Sequence, residues 1–319
     1  MTNLENAKVL FSGNAVELSF ADGIALVKID CKDNAKVNLL SSAVMAELDT
    51  VGKILDGTQV TPGLPQFSGV VFYSGKADCF IAGADIKEIL TAQELPNTQV
   101  FEACQQGKAV LDRFARLSVP TVCAVHGRCL GGGMEAFLRF QYRLASNSPK
   151  TVFGLPEVGL GVIPGWGGCI ILPKMVGYAN AAWMVLNPLK PWSAKKAKKL
   201  GVVHEVLPEE KLLARAIEIA SGGKAPKPYR RGIISGAVRS CLDTRCGRWA
   251  TEMLFWPLSA YVSRFFGDAP ETVQAVMDCA FELPERDAMI TESKTFAWLT
   301  KTSGCRKSVQ RFLNRKKKS

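Results

Sequence analysis

Histidine is nearly absent: His126 and His204 are the only two in a chain of 319 residues. Ser-His-Asp or Cys-His chemistry would need one of them beside a nucleophile. His126 instead sits at the end of a predicted strand just ahead of a glycine turn, and His204 falls in the apolar stretch 201–206. Both read as hydrogen-bonded structural side chains. The ten cysteines contain no CxxC pair, so zinc-type ligand spacing is missing and no metal site is predicted. Several, such as Cys123 and Cys129, lie in apolar segments where a free thiol acts as a small hydrophobe, the pattern of a reducing compartment. No run approaches the roughly 18 apolar residues of a membrane span. Residues 1–13 carry Glu5 and no arginine, unlike a signal or transit peptide, so cytoplasmic residence of a bacterial kind is expected.

Apolar side chains are plentiful. Hydrophobic residues make up 47% and charged residues 22%, which supplies the core of a soluble globular protein. The formal net charge of +11 gathers late, in Lys195-Lys196-Ala197-Lys198-Lys199 and Arg315-Lys316-Lys317-Lys318. Such a balance suits an anionic partner, whether a phosphorylated ligand, a membrane surface or nucleic acid. Nucleic acid fits poorly: residues 311–318 offer no platform of aromatics and base-reaching side chains, and read as a solvated helix end.

Segments 15–20 and 24–29 alternate and predict a hairpin across Ala21-Asp22-Gly23. Residues 41–55 predict a helix with Ser41 or Ser42 as N-cap and Val44, Leu48, Val51 and Leu55 on its apolar face. Short strands are expected at 69–73, 121–126, 142–145, 152–153 and 202–206. Helices are expected at 99–116, from about Met134, at 180–186 and at 193–200. This alternation argues for an α/β fold. From Gly222 the stretch 222–228 reads as a linker, followed by helices at 241–266, 269–283 and 290–314 with no strand signal. The expected division is therefore a core over 1–221 and a helical region over 222–319. An aromatic stripe, Trp249, Met253, Trp256, Tyr261, Phe265 and Phe266, reads as core or subunit interface. A lid over a bound chain, or contact with a membrane surface, would be the alternatives.

The chemistry-bearing features cluster. Gly131-Gly132-Gly133 lies between a predicted strand and helix, where free backbone N–H groups and the positive helix end can meet an anion or a polarised carbonyl. Taken alone, the run is equally a tight connection without a ligand. It is not GxGxxG in a βαβ unit, so a dinucleotide site does not fit. Glu135 follows in the first helical turn, where an isolated acid would merely complement the dipole. Glu157 comes after Pro156 and ahead of further glycine turns. Upstream, Phe80-Ile81-Ala82-Gly83-Ala84-Asp85 forms another glycine turn after an apolar run. Bare-backbone turns with two acids are the parts needed to polarise a carbonyl and move protons beside it.

Residues 80–87, 120–135 and 154–168 together resemble the signature segments of the crotonase (enoyl-CoA hydratase/isomerase) superfamily. The likeness runs over roughly 14–221. Lys36-Val37-Asn38, Gln141-Tyr142-Arg143 and the Glu135-to-Glu157 spacing, with its 146–151 loop, are most similar to the amino-terminal hydratase part of multifunctional fatty-acid oxidation α-subunits, trifunctional type included. Phe296-Ala297-Trp298-Leu299-Thr300 and Arg311-Phe312-Leu313 resemble the linker helix of those subunits.

The resemblance implies an α/β fold of the ClpP/crotonase kind, a spiral of ββα units. It also implies an oxyanion hole from the amides of Ala84 and Gly132, gripping the thioester oxygen of an acyl-CoA. Glu135 and Glu157 would be catalytic, activating the water that attacks C3 and supplying the proton at C2. Gly165 would line the substrate pocket. Ala82, Asp85 and Ile86, with Lys87 as neighbour, would lie along the CoA-binding loop. Coenzyme A enters only as part of the substrate; no metal, redox cofactor or nucleic acid is implied. Partners would be a second copy of the chain or another β-oxidation subunit. Hydration of trans-2-enoyl-CoA is the expected reaction, because isomerisation needs essentially one carboxylate and hydration must also place a water. A Δ3,Δ2-enoyl-CoA isomerase and a non-catalytic crotonase-like assembly subunit are the alternatives. Trp166 stands where the family commonly has a small residue or phenylalanine, and Met134 is bulky; both bear on acyl-chain length.

Overall fold

The computed structural model describes residues 7–227, 229 and 233–316, without the side chains of residues 233–235 and 315–316. Pro228, Lys317 and Lys318, parts of the expected linker and basic tail, lie outside the described residues. The chain forms two compact units that interleave in sequence: residues 1–84, 109–153 and 192–229, and residues 85–108, 154–191 and 230–319.

The first unit carries the sheets. Strands β1 (Lys8–Ser12), β2 (Val16–Ala21), β3 (Ile24–Ile29), β4 (Gly69–Ser74), β5 (Cys79–Ile81), β6 (Thr121–Val125), β7 (Arg128–Leu130), β8 (Tyr142–Ser146), β9 (Val152–Gly154), β10 (Trp192–Ser193) and β11 (Glu205–Leu207) form two sheets. The larger has the order β1-β2-β3-β4-β6-β8-β11, antiparallel as far as β3 and parallel beyond. The smaller has the order β10-β9-β7-β5. The expected hairpin closes on Asp22-Gly23, both at positive φ, as a two-residue turn between paired Ala21 and Ile24 requires. Helix Ser42–Leu55 is capped by Ser41 and buries Val44, Leu48, Val51 and Leu55 as its periodicity predicts.

Helix Glu209–Ala220 covers the larger sheet, packing Leu212, Ala216 and Ile217 against Leu26, Val71, Val122 and Leu144. The approach is close: a β-carbon on Gly69 would stand 2.1 Å from the Ala220 carbonyl oxygen. Phe72 centres an aromatic group with Phe80, Phe114 and Phe140, at centroid distances of 5.9, 5.9 and 5.4 Å. Such tilted and edge-on pairs contribute beyond their buried area.

Two expectations for this unit shift. The last strand is Glu205–Leu207 rather than 202–206, because Gly201 takes φ +85° and the chain is still turning there. The helix expected near Met134 begins at Gly132 and stops at Phe137.

Helices make up most of the second unit: Ile86–Ala92, the first part of Asn97–Ala115, Gly168–Val176, Tyr178–Leu186, Ile233–Leu242, Arg245–Phe266, Ala269–Glu282, Glu285–Thr300 and Ser303–Lys316. Buried Arg248 ties Arg245–Phe266 to Ala269–Glu282, bonding Asp278 and Glu282 at 2.5 and 2.6 Å and lying over the Phe281 ring. The segment 290–314, expected as one helix, divides at Lys301-Thr302. The Thr302 hydroxyl accepts from the Cys305 amide and starts a new helix.

The aromatic stripe is not core. Trp249, Met253, Trp256 and Tyr261 are 64%, 58%, 60% and 62% exposed. The helix packs through Gly247, Arg248, Thr251, Ser259 and Val262 instead, small and polar residues that periodicity in large hydrophobes does not flag. None of the described helices is long and apolar enough to cross a membrane.

Candidate active site

Strands β5 and β7 run parallel, with Cys79 opposite Arg128 and Ile81 opposite Cys129. Each then leads into a glycine turn. The pairing slips by one residue between Cys79 and Ile81, and the two turns that follow meet where Gly83 packs against Leu130 and Gly131. Gly83, at φ +111°, lets the first turn pass close: a β-carbon there would lie 3.6 Å from the Leu130 carbonyl oxygen. Two hydrogen bonds hold this turn, from the Leu40 amide to the Gly83 carbonyl and from the Ala82 amide to the Asn38 carbonyl, both at 2.9 Å. Neither draws on the amide of Ala84.

The second turn swings through Gly131 at φ 54°, ψ −130° and enters helix Gly132–Phe137. Gly132 is its first residue, where an N–H has no partner inside the helix. Glu135 lies in the same turn and is 2% exposed, its amide bonding the Gly131 carbonyl at 3.0 Å. Ala82, Ala84, Gly132 and Glu135 thus all belong to the first unit.

Asn38, fully buried, braces the end of β5 and the first turn. Its carbonyl oxygen accepts from the Cys31 amide, and its side-chain nitrogen donates to Ile29 O, Ser74 Oγ and Phe80 O. His126 bonds Ser146, which bonds Thr151, whose hydroxyl accepts from the Gly127 amide. The 146–151 loop is therefore stitched to the entry of β7, and His126 is one of its stitches. His204 accepts the Arg143 amide at Nδ1 and bonds back to the Arg143 carbonyl through its own amide. Burial, then the Arg143 cation, lower its pKa to about 4.

In the second unit, Asp85 caps helix Ile86–Ala92, its carboxylate accepting from the Lys87 amide at 3.0 Å. Glu157 opens a 3-10 turn, Glu157–Leu160, and is half-buried. That turn ends on Gly161 at φ +76°, where a β-carbon would strike the Cys305 backbone at 2.7 Å. Gly165 lies against Phe296, whose ring would be 3.0 Å from an added β-carbon. Trp166 stands over Gly107 at a comparable closeness, 2.4 Å from its indole nitrogen to the missing β-carbon.

A group that sequence reasoning missed closes this turn. Glu292, 0% exposed, accepts from the Gly167 and Cys169 amides at 2.7 and 2.9 Å and pairs with Lys108 at 3.0 Å. Burial pushes its carboxyl upward, while Lys108 and the two amides pull the other way. Lys108 and Glu292 sit far apart in the chain, and no local pattern links them.

The model of the family described as enoyl-CoA hydratase/isomerase matches residues 19–226. The chain belongs to the enoyl-CoA hydratase/isomerase family. Its crotonase-type fold is also that of solved structures. An enoyl-CoA hydratase from Bacillus anthracis is 25% identical over 85% of this chain and 90% of its own, with a TM-score of 0.54. A carnitinyl-CoA dehydratase from Mycobacterium thermoresistibile reaches a TM-score of 0.72 at 16% identity, covering 94% of this chain and 90% of its own. An enoyl-CoA hydratase from Mycobacterium avium subsp. paratuberculosis covers 94% of this chain and 100% of its own at 18% identity and TM-score 0.62. The chain is thus a crotonase-family enzyme, of a family named for enoyl-CoA hydratases and isomerases.

Proposed function

We propose that this crotonase-family enzyme is an enoyl-CoA hydratase, adding water across trans-2-enoyl-CoA to give 3-hydroxyacyl-CoA in fatty-acid β-oxidation. The observation that supports the reading is the parallel pairing of β5 and β7, after which the Gly83 turn packs against Leu130 and Gly131; Ala84 and Gly132, the proposed amide donors, are the next residues of those two turns. Two such donors stabilise the thioester oxygen as it gains enolate character, each contributing about 3–4 kcal/mol in the transition state. With C3 made electrophilic in this way, Glu135 and Glu157 hold and deprotonate the water that attacks C3 and deliver the proton to the enolate at C2. Ala82, Asp85, Ile86 and Lys87 follow the CoA moiety, and Gly165 borders the acyl thioester. The reaction needs no cofactor beyond the coenzyme A of the substrate.

Retention of both acids supports hydration over simple isomerisation, since moving a double bond requires only one proton shuttle. The segments 36–38 and 141–143 support kinship with the hydratase part of multifunctional α-subunits. The division into a catalytic core over 1–221 and a helical region over 222–319 belongs to the same proposal, as does assembly with a second copy or a β-oxidation partner. Loss of the enoyl thioester absorbance with a chain-length series from crotonyl-CoA to decenoyl-CoA tests the activity. Product analysis in deuterated water separates hydration from isomerisation. No turnover of any enoyl-CoA would overturn the reading and favour an assembly subunit.

A further inference from the structure

The turn over residues 165–168 is held from a distance. Glu292, on helix Glu285–Thr300, spends both carboxylate oxygens on backbone amides, Oε2 on Gly167 and Oε1 on Cys169. These are the residue before, and the second residue of, helix Gly168–Val176. The capped amides have no partner inside their own helix, so the carboxylate supplies what the local sequence cannot. Gly167 itself has no side chain with which to cap. Lys108, 4% exposed, then fixes the carboxylate, and is itself fixed by the Met289 carbonyl and the Ser293 hydroxyl of the helix that carries Glu292. One helical turn beyond Glu292, Phe296 meets Gly165. Trp166 meets Gly107, the neighbour of Lys108. Every residue of the turn from Gly165 to Gly167 is therefore seated by one of two helices, at points next to or within the Lys108–Glu292 pair.

A buried ion pair is weak evidence for stability, because desolvation offsets much of its attraction. This one carries a geometric consequence that stability alone would not require: a two-pronged grip on two amides of one helical first turn. We infer that Glu292, locked by Lys108, is a positioning residue for the Gly165-Trp166-Gly167 turn and fixes the backbone that Gly165 contributes to the proposed substrate pocket. The inference rests on the hydratase reading above only for its effect on turnover. A misplacement of about 1 Å at such a turn lowers turnover by up to about 100-fold.

The test compares wild type, Glu292→Gln and the double variant K108M/E292Q, which removes both charges and leaves no unpaired buried lysine should the single variant misfold. Glutamine keeps the shape but offers only one acceptor oxygen to two amides. Amide hydrogen exchange by mass spectrometry over residues 163–172, with residues 69–74 as control, reads the turn directly. Steady-state kinetics with crotonyl-CoA read its consequence. The expected result is faster exchange confined to 163–172, with kcat lowered at least about 10-fold and KM within about twofold of wild type. A purely structural role would lower the melting temperature without this split between kcat and KM. Unchanged exchange over 163–172 in folded variants overturns the inference. So does faster exchange with wild-type kcat. If the wild-type enzyme hydrates no enoyl-CoA, the functional reading fails, and the exchange comparison still decides whether Glu292 holds the turn.

Discussion

Gly133 faces Ile81 so closely that a β-carbon on the glycine would stand 2.6 Å from the Ile81 β-carbon and 2.7 Å from its carbonyl oxygen. This contact sets the start of helix Gly132–Phe137 on the end of β5, and with it the spacing between the two glycine turns. Gly133→Ala should push them apart. Overpacking of this kind costs about 1–3 kcal/mol, and a misaligned oxyanion donor costs about 100-fold in kcat. Turnover of crotonyl-CoA and a denaturant melt of the same sample measure both. Wild-type kcat in the folded variant would separate this contact from catalysis.

The two glutamates are expected to answer differently from the residues around them. Glu157→Gln and Glu135→Gln should each lower hydration by orders of magnitude while leaving affinity for a saturated acyl-CoA within a few-fold, as for groups acting in the transition state. Isothermal titration with butyryl-CoA beside the kinetic assay provides the check. Full activity in Glu157→Gln would remove that residue from the mechanism.

The Asn38 side chain hydrogen-bonds four groups at once, three of them buried, and its own carbonyl receives the Ala82 amide. Asn38→Ala strands several of these groups, at about 1–3 kcal/mol for each buried donor or acceptor left unmade. A lowered urea midpoint with unchanged slope is the expected outcome. Retained stability would mean that water restores the lost bonds.

His204 gives a pH dependence whose sign is fixed by its environment. Its folded pKa, about 4, lies below the ordinary 6.5, chiefly through burial and then through the Arg143 cation. The unfolded chain therefore binds the extra proton first. The stability held by the neutral ring is full above pH 6.5, drains as pH falls, and is gone below about 4. Thermal melts across this window should fall more steeply for wild type than for His204→Gln. Parallel profiles would place the ring's titration elsewhere.

Much of the α/β pattern could be read in advance, because alternation, caps and glycine punctuation act over a few residues. The Ser41-capped helix and the Asp22-Gly23 hairpin are such local cases. Less was legible where burial came from small or polar residues. Periodicity marks the large apolar side chains of Arg245–Phe266, yet the helix packs on Gly247, Arg248 and Thr251 and leaves Trp249 and Trp256 exposed. Lys108 and Glu292 were equally silent, since a charge in sequence reads as a solvated one until a partner and a burial are known.

By itself the sequence determined the glycine turns, the two acids and the order in which they occur, because backbone freedom and side-chain chemistry belong to single residues. Only the tertiary structure decided that β5 and β7 pair in parallel and bring Gly83 against Leu130 and Gly131. It alone decided that Glu292 reaches back to Gly167. Those relations depend on hydrogen bonds between segments distant along the chain, and no local preference of either segment specifies them.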